Sequence, residues 1–405
     1  MNNSRIEITG YGFVTPLGNE EQEFDERVFN GVSAIESKRY ELPNQDSFEA
    51  AVAMCNVDAE RFMAPSKLPS DRATTLAMMS VVRAIENAKL DLENIDHDRL
   101  GVYWGSGMGG ASTFDTTCEQ LYAQQKRIRP TSVITSMPST AASEIALHVK
   151  AQGACITMAS ACASSALAIA EGIKALRSHQ LDTVIVGGSE SMLSAGVMYA
   201  WNALHVMVPV KEGRIANNVA FSKTRSGFAM GEGACAFVLQ REKSTQPKET
   251  RFFLSGFASN CDGQHMTKPN TQSQIKVMRA AMKDANLNAA DIDYINAHGT
   301  ATHQGDSSEA KAIEEVFSTH KVPVSSTKSI HGHLLGASGA LELLVCLRAL
   351  EKNTIPKNAT EMEVDPEMNI NVITSKNNSN KALTHALSNS FAFGGTNACL
   401  IISKG

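Results

Sequence analysis

The chain has 405 residues, 43% apolar and 20% charged, with a formal net charge of −5. That is enough apolar material for a sizeable core and too little positive charge to favour a nucleic-acid partner. No apolar run reaches the roughly 18 residues of a membrane helix, and the opening "MNNSRIEITGYG" lacks the basic-then-apolar order of a secretory signal, so a cytoplasmic protein of two to three domains, or one large duplicated unit, is expected.

In chain order, "RIEITGYGFV" from Arg5 reads as a strand. "PSDRATTLAMMSVVRAIENAKLDL" has the period of an amphipathic helix, with Ser70 or Asp71 as N-cap. "GACITMASA" is β-rich and runs into "CASSALAIAEGIKAL", Cys162 to Leu176, an apolar run at helical spacing. "LDTVIVGGSE" reads as a buried strand ending in a Gly-Gly turn, and "GACAFVLQ" near 233–240 as the next strand. The polar, Pro-containing stretch "KSTQPKET" marks a seam near 245–251; with no long linker there, the halves on either side are expected to pack face to face. Beyond it come the strand "RFFLSGFAS" from Arg251 and "DIDYINAHGT", a strand running into a polar loop. "VPVSSTKS" then leads to a second helical run, "GASGALELLVCLRAL", Gly336 to Leu350, and "TNACLIIS" near 396–403 closes the chain as a strand. Such alternation predicts α/β layers with mostly parallel sheets.

The two helical runs align without gaps. Ala163, Ser164, Ala166, Leu167, Ala175 and Leu176 each recur 174 positions later, and each run follows a β-rich stretch. The strands that open and close the two halves also match in order. Self-similarity at this span predicts a duplicated domain and excludes a solenoid of short repeats.

Eight cysteines are present, at 55, 118, 155, 162, 235, 261, 346 and 399, and no pair has CxxC spacing. That argues against zinc and against a redox dithiol. A cysteine is ordinarily a small buried hydrophobe. Cys162 differs: it stands at a helix start among Ala and Ser. Helix N-termini carry partial positive charge and unpaired N–H groups, which acidify a thiol and can hold an oxyanion. Small neighbours at 161 and 163–165 would let a thioester carbonyl approach, although close helix packing accounts for them equally well. The duplication places His333, just before the second helical run, at the matching end, so Cys162, His298, His333 and Lys328 are expected to share one site.

At these residues the chain resembles the β-ketoacyl-acyl carrier protein synthases of the thiolase superfamily, the elongating type II group. The resemblance spans nearly the whole chain. It rests on "SACASS", "NAHGTATHQGD", "STKSIHGHLLGASGALE" and "SNSFAFGGTNA", with weaker support from "FSKTRSGFAMGEGA" and "VGGSESM". It implies a duplicated thiolase-like α/β fold, layered α/β/α/β/α with two five-stranded mixed sheets. The halves would be 1–248, carrying the cysteine, and 249–405, carrying the histidines. It implies a decarboxylative Claisen condensation between a Cys-bound acyl group and malonyl-acyl carrier protein. Substrates would arrive on the carrier's phosphopantetheine arm, with no cofactor of the enzyme's own. The chain would pair with itself or with a related chain-length subunit, in fatty acid or type II polyketide and polyene synthesis.

By the same resemblance Cys162 is the nucleophile. The N–H groups of Cys162 and Phe393 form the oxyanion hole, and His298 and His333 stabilise the enolate. Lys328 pairs with Glu342 behind them. Thr300 and Thr302 bind the pantetheine arm, Phe391 and Phe393 flank a gate, and Met108 lies near the acyl tail. Val133, Ile134 and Met137 line the dimer partner's pocket. Lys67, Arg72, Lys126, Arg127 and Arg129 are candidates for a basic rim facing the acidic carrier. The chain departs from the family at Ala392 (usually Gly), His331 (usually Thr), His303 (usually Pro) and Ser226 (usually Asp). His331 and His333, two apart, lack the further ligands of a metal site, and no metal is expected. Three rivals fit less well. A non-catalytic chain-length subunit would lack the cysteine. A degradative thiolase would use a second cysteine as base. A cysteine hydrolase would not need the Lys328–Glu342 pair or the duplication.

Overall fold

The computed structural model describes residues 5–43, 45–58, 64–242, 251–358, 362–377 and 382–405. The first half contributes β1 (Ile6–Val14), β2 (Leu100–Gly105), β3 (Cys155–Met158), β4 (Thr183–Glu190) and β5 (Gly233–Arg241) to the main sheet. The second contributes β6 (Phe252–Cys261), β7 (Tyr294–Asn296), β8 (Pro323–Ser325), β9 (Asn371–Val372), β10 (His385–Phe391) and β11 (Thr396–Lys404). The order across the sheet is β9-β8-β7-β10-β11-β6-β1-β5-β4-β2-β3.

The duplication is written into that order. In each half the strands nearest the centre pair antiparallel, β1 with β5 and β6 with β11, and the outer ones pair parallel, β4-β2-β3 and β10-β7-β8. Even the register slip recurs, between Ile8 and Gly10 in β1 and between Leu254 and Gly256 in β6. Both glycines lie against a helix whose backbone a Cβ would strike.

Three sequence expectations need correction. The sheets are not two separate five-stranded units: β1 pairs antiparallel with β6 at Ile6–Leu254 and Ile8–Phe252, which joins both halves into one 11-stranded sheet. Nor is the pairing mostly parallel, because each half returns a strand to the centre to complete that seam. The halves thus meet edge to edge as well as through helices. In addition, Gly187 and Gly188 lie inside β4, not in a turn after it. Most of the expected seam, 243–250, lies outside the described residues.

Helix α1 (Arg72–Ala88) begins at Asp71, whose carboxylate accepts the Ala73 N–H, and packs on β1 and β5. Helices α2 (Ser164–Arg177), α3 (Thr271–Ala285), α4 (His303–Val316) and α5 (Ser338–Lys352) follow. The repeated pair, α2 and α5, touches strands of both halves, whereas α1 and α3 cover the outer faces. At the α2–α5 contact, a Cβ on Gly339 would come within 2.9 Å of Ala166 Cβ, and Ser165 Oγ accepts the Ala340 N–H at 3.0 Å. Small residues are therefore required for close helix approach, which buries both helices almost completely. Among the described residues, no helix is long and apolar enough to cross a membrane.

Candidate functional site

Strand β3 ends at Met158, and a 3₁₀ turn, Ala161–Ala163, leads into α2. Ser160 N–H donates to Ser164 Oγ at 2.8 Å, and that hydroxyl donates to Ala161 O at 2.7 Å, so one side chain closes the turn. Ala161 takes φ 45°, a left-handed value that costs a non-glycine residue energy. The twin turn, Leu335–Ala337 before α5, repeats this: Leu335 also has φ 45°. Cys162, on the first turn, is buried with its sulfur at a cavity.

His333 Nε2 lies 3.0 Å from Cys162 Sγ. The opposite nitrogen, Nδ1, accepts the Leu335 N–H at 3.2 Å and lies 2.9 Å from Ser338 Oγ. A nitrogen that accepts cannot carry the proton, so the proton is on Nε2, facing the cavity. His298 stands two residues beyond β7. Its own N–H and that of Gly299 donate to Glu309 at 2.9 and 2.8 Å, and Asn389 Nδ2 holds the same carboxylate at 3.0 Å. Lys328 Nζ donates to His298 O at 2.6 Å, lies 3.4 Å from His298 Nδ1, and is paired with the Glu342 carboxylate. An ammonium has only donors, so His298 too is held with its proton on Nε2. The ligand atoms of Cys162, His298 and His333 lie within 4.8 Å of one another.

Burial dominates the electrostatics. It pushes the Cys162 thiol up to about 12, against the pull of Lys328 and of the Phe393 and Cys162 backbone N–H groups. The acidified thiol expected of a helix start is thus corrected: at this depth desolvation outweighs the helix terminus. Burial, then Lys328, drives both His298 and His333 well below the usual histidine range, so both are neutral donors at pH 7. Burial raises Glu342 to about 7, while Lys328 draws it down.

The cavity has a volume of about 390 Å³ and is lined by Cys162, His298, His333, Thr300, Thr302, Phe391 and Phe393, among others. The two threonine hydroxyls are 2.9 Å apart. Residues 3–245 match the model for "Beta-ketoacyl synthase, N-terminal domain", and residues 252–361 match that for the C-terminal domain. The chain belongs to the β-ketoacyl synthase family. It is 30% identical over 410 residues to "3-oxoacyl-[acyl-carrier-protein] synthase 2" of Staphylococcus aureus (strain N315), covering 99% of each chain. It is 32% identical over 405 residues to "Nodulation protein E" of Rhizobium leguminosarum bv. trifolii, covering 98% of each. Among solved structures, a β-ketoacyl synthase from Burkholderia phymatum STM815 superposes with TM-score 0.87 at 28% identity, covering 99% of this chain and 100% of that one. The ishigamide ketosynthase/chain length factor shares the fold at TM-score 0.88 and 24% identity, covering 99% of each. The duplicated thiolase-like α/β fold is that of ketosynthases.

Not every expected residue of this β-ketoacyl synthase reaches the cavity. Met108 lines a neighbouring apolar depression of about 500 Å³ with Phe114, Val197 and Ala200; Trp201 and Leu204 border both spaces. Val133, Ile134 and Met137 point outward, Val133 at 74% exposure, and line neither space within one chain. Arg72 is no rim charge: it is ion-paired with buried Glu232 at 2.6 Å. Lys67, Lys126, Arg127 and Arg129 are exposed but do not line the cavity, whereas His205, Lys268 and His303 do. His331 is buried, with Nδ1 2.7 Å from Gly332 O and Nε2 3.0 Å from Thr327 Oγ1, so both its nitrogens are engaged away from the sulfur.

Other site residues escaped the sequence reading. Glu309 fixes the His298 loop, and Asp306 fixes the threonine loop by accepting the N–H groups of Ala301 (3.1 Å) and Phe221 (2.8 Å). Their signal was two carboxylates three apart on one helix face directly after the histidine motif. Phe228 meets the His333 ring edge-on at 5.1 Å, and Trp201 stacks on Phe393 at 6.4 Å and 18°. Nothing local in the sequence marks those aromatics.

Proposed function

We propose that this chain is a 3-oxoacyl-[acyl carrier protein] synthase that extends a Cys162-bound acyl group by two carbons from malonyl-acyl carrier protein. In the first half-reaction the Cys162 sulfur attacks the acyl thioester of the carrier. The thiol proton ends on the departing pantetheine thiol, and the acyl group stays on Cys162. The Cys162 and Phe393 N–H groups stabilise the tetrahedral oxyanion. In the second, malonyl-carrier loses CO₂, and the electrons of the broken C–C bond form an enolate. Its oxygen accepts the Nε2–H groups of His298 and His333. The enolate carbon attacks the acyl carbonyl, the C–S bond to Cys162 breaks, and the 3-oxoacyl chain leaves on the carrier.

The observation that carries this reading is the meeting of one sulfur and two neutral, Nε2-protonated imidazoles within 4.8 Å. Lys328 and Glu342 hold the tautomer of His298. Thr300 and Thr302 receive the pantetheine amides, and Phe391 and Phe393 gate the entrance from either side of Ala392. Met108 borders the acyl-tail channel. The halves, 1–248 and 249–405, divide at a boundary that lies outside the described residues, and their strands join in one 11-stranded sheet. No cofactor or metal enters; the three donors serve the thioester.

The partner is acyl carrier protein, and the working unit is a dimer, with a second copy or with a related non-catalytic chain-length subunit. The outward Val133, Ile134 and Met137 and the open apolar depression beside Met108 support a partner chain that completes the tail channel. Incubation with acyl- and malonyl-carrier proteins, followed by intact-mass analysis, tests the reading. A two-carbon-longer 3-oxoacyl product and an acyl adduct on Cys162 are expected. Acyl loading of Cys162→Ala would overturn it.

A further inference from the structure

Strand register equates the two copies of the site. Val238 pairs with Ile185, and Ile401 with Leu387, so Glu190 at the end of β4 is the counterpart of Ala392, the residue just past β10. The helix repeat equates Gly336 with Cys162. In the first copy, the turn faces a substrate cavity. In the second, the same space is filled by the chain itself. Glu190 is fully buried, and its carboxylate accepts four donors: Gly107 N–H at 2.5 Å, Gly336 N–H at 3.0 Å, Met108 N–H at 3.3 Å and Ser106 Oγ–H at 3.2 Å. The first-half loop and the second-half turn thus share one buried carboxyl group. They are in direct contact: a Cβ on Gly336 would collide with Gly107 N.

The Glu190 carboxyl group acts on the residue before Gly336. Leu335 sits at φ 45°, a strained conformation that persists only when its surroundings fix it. In that conformation its N–H donates to His333 Nδ1 at 3.2 Å, the bond that leaves the His333 proton on Nε2. Glu190 touches no substrate atom; it is one residue removed from the group that sets the tautomer.

We propose that Glu190 is a positioning residue: by clamping the Leu335–Gly336 turn to the Ser106–Met108 loop, it locks His333 in the Nε2–H form that donates to the enolate. The inference rests on the enolate role of His333 proposed above. It predicts that loss of the clamp harms condensation more than acyl loading, because the enolate depends on the imidazole proton whereas the oxyanion of loading rests on the Cys162 and Phe393 N–H groups.

The test uses Glu190→Ala with Glu190→Gln as the conservative partner. The amide can turn its carbonyl oxygen to the Gly107 and Gly336 N–H groups and its NH₂ to Ser106 Oγ; it gives up the 3.3 Å bond from Met108 N–H but keeps the clamp between the two turns. Two readouts are taken on the full chain: separate rates of Cys162 loading and of condensation, and ¹⁵N-histidine NMR with the His333 signals assigned by their loss in His333→Ala. For Glu190→Ala, condensation should fall about 10- to 100-fold, the range of lost partners that orient a histidine. Loading should change less than about threefold, within the scatter of context effects on single contacts. The His333 signals should move towards a mixture of tautomers, and Glu190→Gln should restore both. If the alanine variant does not fold, Glu190→Asp, too short to reach both loops, takes its place with the same expectation. Unchanged His333 signals, or equal losses in loading and condensation, would overturn the proposal. A wild-type chain that loads but never condenses would instead overturn the function read above, and the NMR arm would still decide on Glu190.

Discussion

Titrating the reactivity of Cys162 separates two opposed forces on one sulfur. The helix start, Lys328 and two backbone N–H groups favour the thiolate; burial favours the thiol and prevails, setting the group at about 12. Relative to an ordinary thiol near 9, that is about three pH units, or about 4 kcal/mol against the free thiolate at ~1.4 kcal/mol per unit. At pH 8 roughly one molecule in 10⁴ then carries the thiolate. Alkylation by iodoacetamide, read at the Cys162 peptide by mass spectrometry, should be slow at pH 7. It should rise about tenfold per pH unit through pH 10 without levelling, since only the thiolate attacks. A plateau at or below pH 9 would refute the reasoning, because it would mean that the helix terminus outweighs desolvation. Lys328→Met should slow the reaction further by removing the nearest cation, and an acceleration would be equally damaging.

Three further outcomes follow from the same geometry. Lys328→Met leaves the Glu342 carboxylate buried and unpaired, so urea unfolding should show a loss of about 3–5 kcal/mol, most of it recovered in the double variant Lys328→Met/Glu342→Leu. His331 is held down to about 3 by burial and then by Lys328, below an unfolded value of about 6.5. The unfolded chain therefore binds the extra proton between those values, and stability falls as pH drops through that window, by up to ~1.4 kcal/mol per pH unit from this ring. His331→Thr should lose that slope and shift the acid-unfolding midpoint downward; an unchanged pH profile would show that the ring is not held neutral. Lastly, exhaustive treatment with a metal chelator should leave condensation unchanged within assay error, and its abolition, with recovery on adding a divalent ion, would reassign the Cys162–His298–His333 cluster.

Much of the fold was legible because the duplication survives in the helix where packing tolerates least change. Ala166 and Gly339 lie so close across the α2–α5 contact that larger side chains are excluded, and the match between "CASSALAIAEGIKAL" and "GASGALELLVCLRAL" persists there. The same match sets His333, three residues before Gly336, at the helix start that corresponds to Cys162. What escaped was set by depth and by contacts distant in sequence. The direction of the thiol shift depends on desolvation, which no local motif reports. The union of β1 with β6 is a pairing 244 to 248 positions apart (Ile8 with Phe252, Ile6 with Leu254), and periodicity within a strand says nothing about its partner. Arg72 looked like a rim charge because its partner Glu232 lies 160 residues away.

The small residues around Cys162 had two explanations, access for a thioester and close helix packing, and the structure gives them to different atoms. Ser164 closes the turn and Ser165 bonds across to α5, while the Cys162 and Phe393 N–H groups bear on the sulfur. A duplicated fold offers two such turns, but a thiolate attack and a proton-donating imidazole cannot come from identical copies. One turn must stay open to an incoming carbonyl; the other must be held still to orient the histidine before it. Cys162 at the first and Gly336 at the second, the latter closed by a buried carboxylate, are the sequence difference that divides the labour. On this view, opening the second turn should impair catalysis without creating a second reactive centre, since the glycine there supplies an N–H and no nucleophile.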